Sequence, residues 1–215
     1  MKKIQAVIFD LDDTLIDRQK AVTSYFEWLV KYYCPIIGDN ETQVDYLLGL
    51  DDHGHTDKYE FYAFIIQKWG LTTMTPSVFI DIWRKEFYKH TVERQHAHEI
   101  LAFLSQQYPL GLISNGYSDV QLNKLKKVDM DQFFKAIVIS EHIGHRKPDA
   151  QIFIETCAML GVNANQTVFI GDHITNDVFG SRNAGLLPIW LNTTKEKIDV
   201  DCITIYDLVE LKKYL

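Results

Sequence analysis

Five short apolar runs punctuate the chain: IQAVIF at 4–9, LGLI at 110–113, AIVI at 136–139, TVFI at 167–170 and LPIWL at 187–191. Their hydrophobicity is continuous rather than alternating, which marks strands covered on both faces, as in a parallel sheet. Between the last four runs lie helix-patterned segments at 118–128, 149–161 and 176–185. Strand, helix, strand alternation predicts an α/β layered fold, a Rossmann-like parallel sheet with right-handed crossovers.

The stretch between the first and second runs breaks this rhythm. Residues 17–93 read as helix after helix, over Arg18–Tyr33, Glu41–Leu50, Lys58–Trp69 and Thr75–His90. The last is expected to open with Thr75 as N-cap and Pro76 in its first turn. Aromatics are dense here, Tyr59, Phe61, Tyr62 and Phe64 among them, and they read as a core rather than a base-stacking platform. The organisation expected is therefore an α/β core domain of residues 1–16 plus 94–215, with an all-helical domain, 17–93, inserted in it.

Charge and length narrow the function. The formal net charge of −7, with no basic stripe, argues against a general grip on nucleic acid polymers or an anionic membrane face. No apolar stretch approaches the ~20 residues of a membrane span, and the apolar run before Asp10 is too short for a signal-peptide core, so a cytoplasmic protein is expected. Cys34, Cys157 and Cys202 are far apart and lack a metal-ligand spacing, so they read as reduced thiols, with Cys157 in a core. The sequence sets no oligomeric state.

Strand ends carry the chemistry. The first run stops in Asp10, Asp12 and Asp13, and the fourth in Asp172, with Asp177 five positions on. In an open parallel sheet the ligand crevice lies at the carboxyl ends of the strands. Two residues apart on an extended chain, Asp10 and Asp12 would share a face, and with Asp172 three carboxylates would converge. Like charges that close protonate or hold a cation, and oxygen ligands alone favour a hard ion, Mg²⁺ first. Ser114-Asn115-Gly116 after the second run offers a hydroxyl and backbone N–H groups to an anion. Lys147, just before Pro148, which is expected to start a helix, would project into the same crevice. Such a set suits a phosphate attacked by a carboxylate.

Asp10-Leu11-Asp12-Asp13-Thr14, Ser114-Asn115, Lys147-Pro148-Asp149, and Gly171-Asp172 with Asn176-Asp177 resemble, in order, the four motifs of the haloacid dehalogenase (HAD) superfamily. Within it the pattern is similar to the Mg-dependent phosphatases with a helical cap between the first and second motifs. The resemblance covers essentially the whole chain. It implies that Asp10 is the nucleophile, forming an aspartyl-phosphate, and that Asp12 is the general acid and then the base. Mg²⁺ is implied at the carboxylates of Asp10 and Asp172 and the backbone carbonyl of Asp12, with Asp177 acting through water or steadying Lys147. Ser114 and Lys147 are implied to hold the phosphoryl oxygens, helped by backbone N–H groups near Leu11, Asp12 and Asn115. The implied substrate is a small phosphorylated metabolite, as for the nucleotidase and phosphoglycolate phosphatase branches alike, with specificity and closure in the cap.

Other readings are weaker. A 2-haloacid dehalogenase needs neither Mg²⁺ nor an acid at the second position, so Asp12 and the Asp172, Asp177 pair argue against it. A phosphomutase stays open, although the first motif's DDT ending favours hydrolysis. Intact residues at every motif argue against a silent phospholigand binder. Asp13 reads as structural. His53 and His55 in DDHGHTD, residues 51–57, meet no metal spacing and read as a loop over the site that could touch substrate. His173 borders the crevice, and Arg18 reads as a helix-surface residue rather than a substrate ligand.

Overall fold

A computed structural model describes residues 3–33, 40–54 and 56–215, and of Asn40 and His53 the backbone alone. Cys34, His55 and the side chain of His53, which drew attention above, lie outside the described residues. The chain divides into two compact units: Met1–Asp17 with Glu93–Leu215, and Arg18–Val92. Among the described residues no helix is long and apolar enough to cross a membrane.

The first unit is a six-stranded, wholly parallel sheet: β1 Ala6–Phe9, β2 Leu110–Ser114, β3 Phe134–Ile139, β4 Thr167–Gly171, β5 Leu187–Leu191 and β6 Ile203–Ile205. Its spatial order is β3-β2-β1-β4-β5-β6, the Rossmann-like arrangement in which the winding reverses between β1 and β4. Strands β1, β2 and β4 are buried throughout, which is why their sequences run apolar without alternation. Successive residues still serve opposite faces. Val7 and Phe9 of β1, with Val168 and Ile170 of β4, join one core layer, whereas Ile8 and Phe169 join the other. Cys157 is buried in that second layer.

The helices of the second unit are α1 Arg18–Tyr33, α2 Asn40–Asp51, α3 Lys58–Trp69 and α4 Pro76–Glu86. Thr75 caps α4, its hydroxyl accepting from the Val78 N–H at 3.3 Å. The helix expected to run to His90 changes to 3₁₀ geometry over Phe87–His90. Aromatic packing forms a separate core here: Phe26 stacks on Phe61 at 5.5 Å and Tyr62 on Phe79 at 5.2 Å. Tyr59 and Phe64 remain exposed, so only the Phe61, Tyr62 side of that stripe is core. Asp51 is buried and takes bonds from Arg18 and Lys58, each at 2.7 Å. The expected surface arginine is therefore a half-buried member of an ion cluster around Asp51, which is close enough to compensate its charge.

Helices of the first unit follow as α5 Ala97–Ser105, α6 Ser118–Lys127, α7 Ser140–Ile143, α8 Ala150–Leu160 and α9 Gly180–Asn183. The chain leaves for the helical unit and returns as a paired stalk, Ile16 opposite Glu93 in an antiparallel bridge, with the Arg94 N–H on the Leu15 carbonyl at 2.9 Å. Two elements depart from the sequence pattern. Helix α8 starts at Ala150 rather than Pro148, because the Asp149 carboxylate caps it by accepting from the Gln151 N–H. The 176–185 segment is a π-helical turn over Ile174–Phe179 followed by α9.

Candidate active site

The reversal in winding opens the sheet at the ends of β1 and β4. The Asp10 N–H donates to the Ile170 carbonyl at 2.9 Å, extending the β1–β4 ladder by one step and setting Asp10 beside the end of β4. After Asp10 the extended chain stops. The Leu11 carbonyl accepts the N–H groups of Thr14, Leu15 and Ile16 at 3.3, 2.9 and 3.1 Å, and Asp13 takes a left-handed conformation, φ 59°, which aspartate tolerates better than most residues. Asp13 also pairs with Arg94 at 3.4 Å, in keeping with a structural role. The Leu11 side chain is fully buried in the core, so its backbone alone remains for any ligand.

Lys147 is the centre of the site. Its buried ammonium lies 2.5 Å from Asp10 Oδ1 and 2.7 Å from Asp177 Oδ1. Carboxylate oxygens of Asp10, Asp172 and Asp177 lie within 4.8 Å of one another. Asp177 is buried because β4 ends in glycine: a Cβ on Gly171 would sit 2.4 Å from its Oδ2. The His173 N–H donates to that Oδ2 at 3.0 Å, while the His173 ring accepts from the N–H groups of Thr175 and Asn176. His173 therefore shapes the turn that carries Asp177. Thr14 Oγ1 lies 3.4 Å from Asp172 Oδ1, and the Trp190 indole donates to the Asp172 carbonyl at 2.7 Å.

Electrostatics follow from this crowding. Burial pushes the Asp10 carboxyl up to about 7; Lys147 opposes that push and Asp177 adds to it. Asp172 is held well above the usual range by burial, then by Asp10 and Asp177. For Lys147, burial acts downward, but Asp10 and Asp177 outweigh it and hold the ammonium above the ordinary lysine value. Three carboxylates crowd one ammonium, and the excess acid adds to burial in raising the proton affinity of Asp10 and Asp172.

Asp12 departs from the expected convergence. Its carboxylate points to α6, where Lys124 Nζ lies 2.8 and 2.9 Å from its two oxygens and Gln121 Nε2 lies 2.6 Å from Oδ2. The side chains that meet are thus Asp10, Asp172 and Asp177 rather than Asp10, Asp12 and Asp172, because α6 supplies Asp12 with its own donors. Gln121 also reaches Ser114 Oγ at 2.6 Å, tying the second motif to the first. Asn115 is engaged with the Lys147 backbone in both directions, its Nδ2 donating to the carbonyl at 3.0 Å and its Oδ1 accepting the N–H at 2.9 Å. Its side chain therefore positions Lys147. Sequence reasoning missed Gln121 and Lys124, although a signal existed: they fall at 121 and 124 on the same buried face of α6 as Val120 and Leu125.

Fold and site together are those of a HAD-like hydrolase, and the chain belongs to that family. The model of the haloacid dehalogenase-like hydrolases matches residues 7–190. The chain is 27% identical over 203 residues to the glyceraldehyde 3-phosphate phosphatase of Pyrococcus furiosus, covering 91% of this chain and 83% of that one. To the N-acylneuraminate-9-phosphatase of Mus musculus it is 30% identical over 112 residues, 52% of this chain and 45% of the relative. The crystal structure of the putative HAD-hydrolase YfnB from Bacillus subtilis, bound to magnesium, shares the fold with a TM-score of 0.80 and 24% identity, covering 99% of each chain.

Proposed function

We propose that the protein is a Mg²⁺-dependent phosphomonoesterase acting on a small phosphorylated metabolite, a sugar phosphate in the first instance. The observation that carries this is the Lys147 ammonium between Asp10 and Asp177, with Asp172 alongside, at the reversal of a parallel sheet. Two relatives named as phosphatases of a triose phosphate and an acyl-sugar phosphate supply the substrate class.

Asp10 attacks phosphorus, forming an aspartyl-phosphate as the bond to the leaving oxygen breaks, and Asp12 gives that oxygen its proton. Water then cleaves the aspartyl-phosphate, with Asp12 taking the water's proton and Asp10 regenerated. Lys147 and Ser114, with backbone N–H groups of Leu11, Asp12 and Asn115, hold the phosphoryl oxygens, so positioning and charge neutralisation do most of the work. The donor set fits a hard divalent cation: it is all oxygen, carries more acid than base and has raised proton affinity at Asp10 and Asp172. Asp10, Asp172 and the Asp12 carbonyl would hold Mg²⁺, with Asp177 steadying Lys147, and the ion would supply charge neutralisation on the phosphoryl group.

Phosphate release from p-nitrophenyl phosphate and from a panel of sugar phosphates tests the proposal, with Mg²⁺ or with EDTA, for the native chain and Asp10→Asn. Release that needs both metal and Asp10 is expected. Turnover that survives Asp10→Asn, or no release from any ester, would overturn it.

A further inference from the structure

Resting on the proposed role of Asp12, we infer that Gln121 and Lys124 of α6 are positioning residues for that carboxylate. Both are buried at 2% and 3% exposure, on the helix face that otherwise carries Val120 and Leu125. An ammonium at a core position is costly to desolvate unless a carboxylate answers it. Here the carboxylate comes from 112 residues away: Lys124 Nζ reaches both oxygens of Asp12, at 2.8 and 2.9 Å. Gln121 adds 2.6 Å contacts to Asp12 Oδ2 and to Ser114 Oγ, and a longer one of 3.2 Å to the Asn115 carbonyl.

Three donor contacts on one carboxylate fix its side-chain torsion. They hold the carboxylate form that remains once the proton has been given up. As the Asp10–phosphorus bond forms and the bond to the leaving oxygen breaks, the proton passes from Asp12 to that oxygen, and negative charge develops on Asp12 beside Lys124. A carboxyl held at one torsion transfers its proton without a search for orientation, which speeds the step without tightening substrate binding. The bridge through Gln121 further ties the orientation of Asp12 to that of Ser114, so acid and phosphoryl-holding hydroxyl move as one piece.

Leaving-group dependence separates this role from a merely structural one. An alkoxide must be protonated as it leaves, whereas p-nitrophenolate departs unaided. For Lys124→Met, kcat/KM on glycerol phosphate is expected to fall about 30-fold or more. On p-nitrophenyl phosphate, kcat/KM, which reports the first step alone, should fall less than about threefold. Gln121→Met should show a weaker split on top of a loss common to both esters, because Ser114 is loosened as well, and it carries the test if Lys124→Met does not fold by thermal unfolding. A native chain that releases phosphate from both esters, with variants that lower both alike or neither, overturns this inference alone. A native chain that releases none removes the phosphatase reading beneath it.

Discussion

Each of the two units buries an acid among charges, and the two acids respond in opposite ways. In the helical unit Asp51 is buried against Arg18 and Lys58. Burial pushes its carboxyl up, but Lys58 and Arg18 outweigh that, and it lies below the usual value. In the sheet unit Asp10, Asp172 and Asp177 share Lys147, and Asp10 and Asp172 lie above it. Desolvation is the largest influence in both places, so burial does not decide the direction; the balance of neighbouring charge does. Over-compensation marks a cluster that holds a fold together. Under-compensation marks one that leaves negative charge for a cation or a reaction.

The same substitution at the two places should therefore have opposite signs. Asp51→Asn leaves two nearly buried cations without their carboxylate and is expected to cost about 3–5 kcal/mol, read by urea unfolding. Asp172→Asn removes one of the crowded acids and should stabilise the metal-free chain at neutral pH. A loss of stability at Asp172, or no loss at Asp51, would sink the comparison.

The pH dependence sharpens it at smaller amplitude. Because the folded-state value of Asp51 is depressed, its contribution is complete above the ordinary carboxylate pKa of 3.8 and is lost as pH falls below that through the folded value. Asp10 and Asp172 are raised, so without metal the sheet unit loses stability as pH rises from the ordinary 3.8 towards about 7, the folded value of Asp10. On the proposed function Mg²⁺ would compete with those protons, and it should raise Tm more at pH 8 than at pH 5. Trp190, whose indole reaches the Asp172 carbonyl, gives a local fluorescence signal in a chain whose other tryptophans are changed to Phe. An equal Tm shift at both pH values would separate metal binding from these acids.

Strands β1 to β5 were legible because a doubly covered strand advertises itself in a few consecutive residues. Strand β6, only Ile203–Ile205 at the sheet's edge with Ile203 exposed, carries too little apolar signal to be read. The acids at strand ends were equally legible, since topology fixes where a strand end points. Where a side chain turns afterwards was not. The Asp12 carboxylate is decided by Gln121 and Lys124, more than a hundred residues on, and the partial burial of Arg18 by Asp51, in a stretch that reads as a polar loop. Partners that distant leave no local pattern, and only their own misplacement on a buried helix face hints at them.

The paired stalk at Ile16 and Glu93 has a meaning for the history of such a chain. Because the two crossings already lie side by side in an antiparallel bridge, a turn of a few residues could replace everything between them without stretching the sheet unit's backbone. A shortened chain joining Asp17 to Glu93 through a Gly-containing turn should still unfold cooperatively, and a broad, gradual melt would speak against it. Gene rearrangement could thus exchange one inserted body for another at this seam while leaving the acid cluster undisturbed.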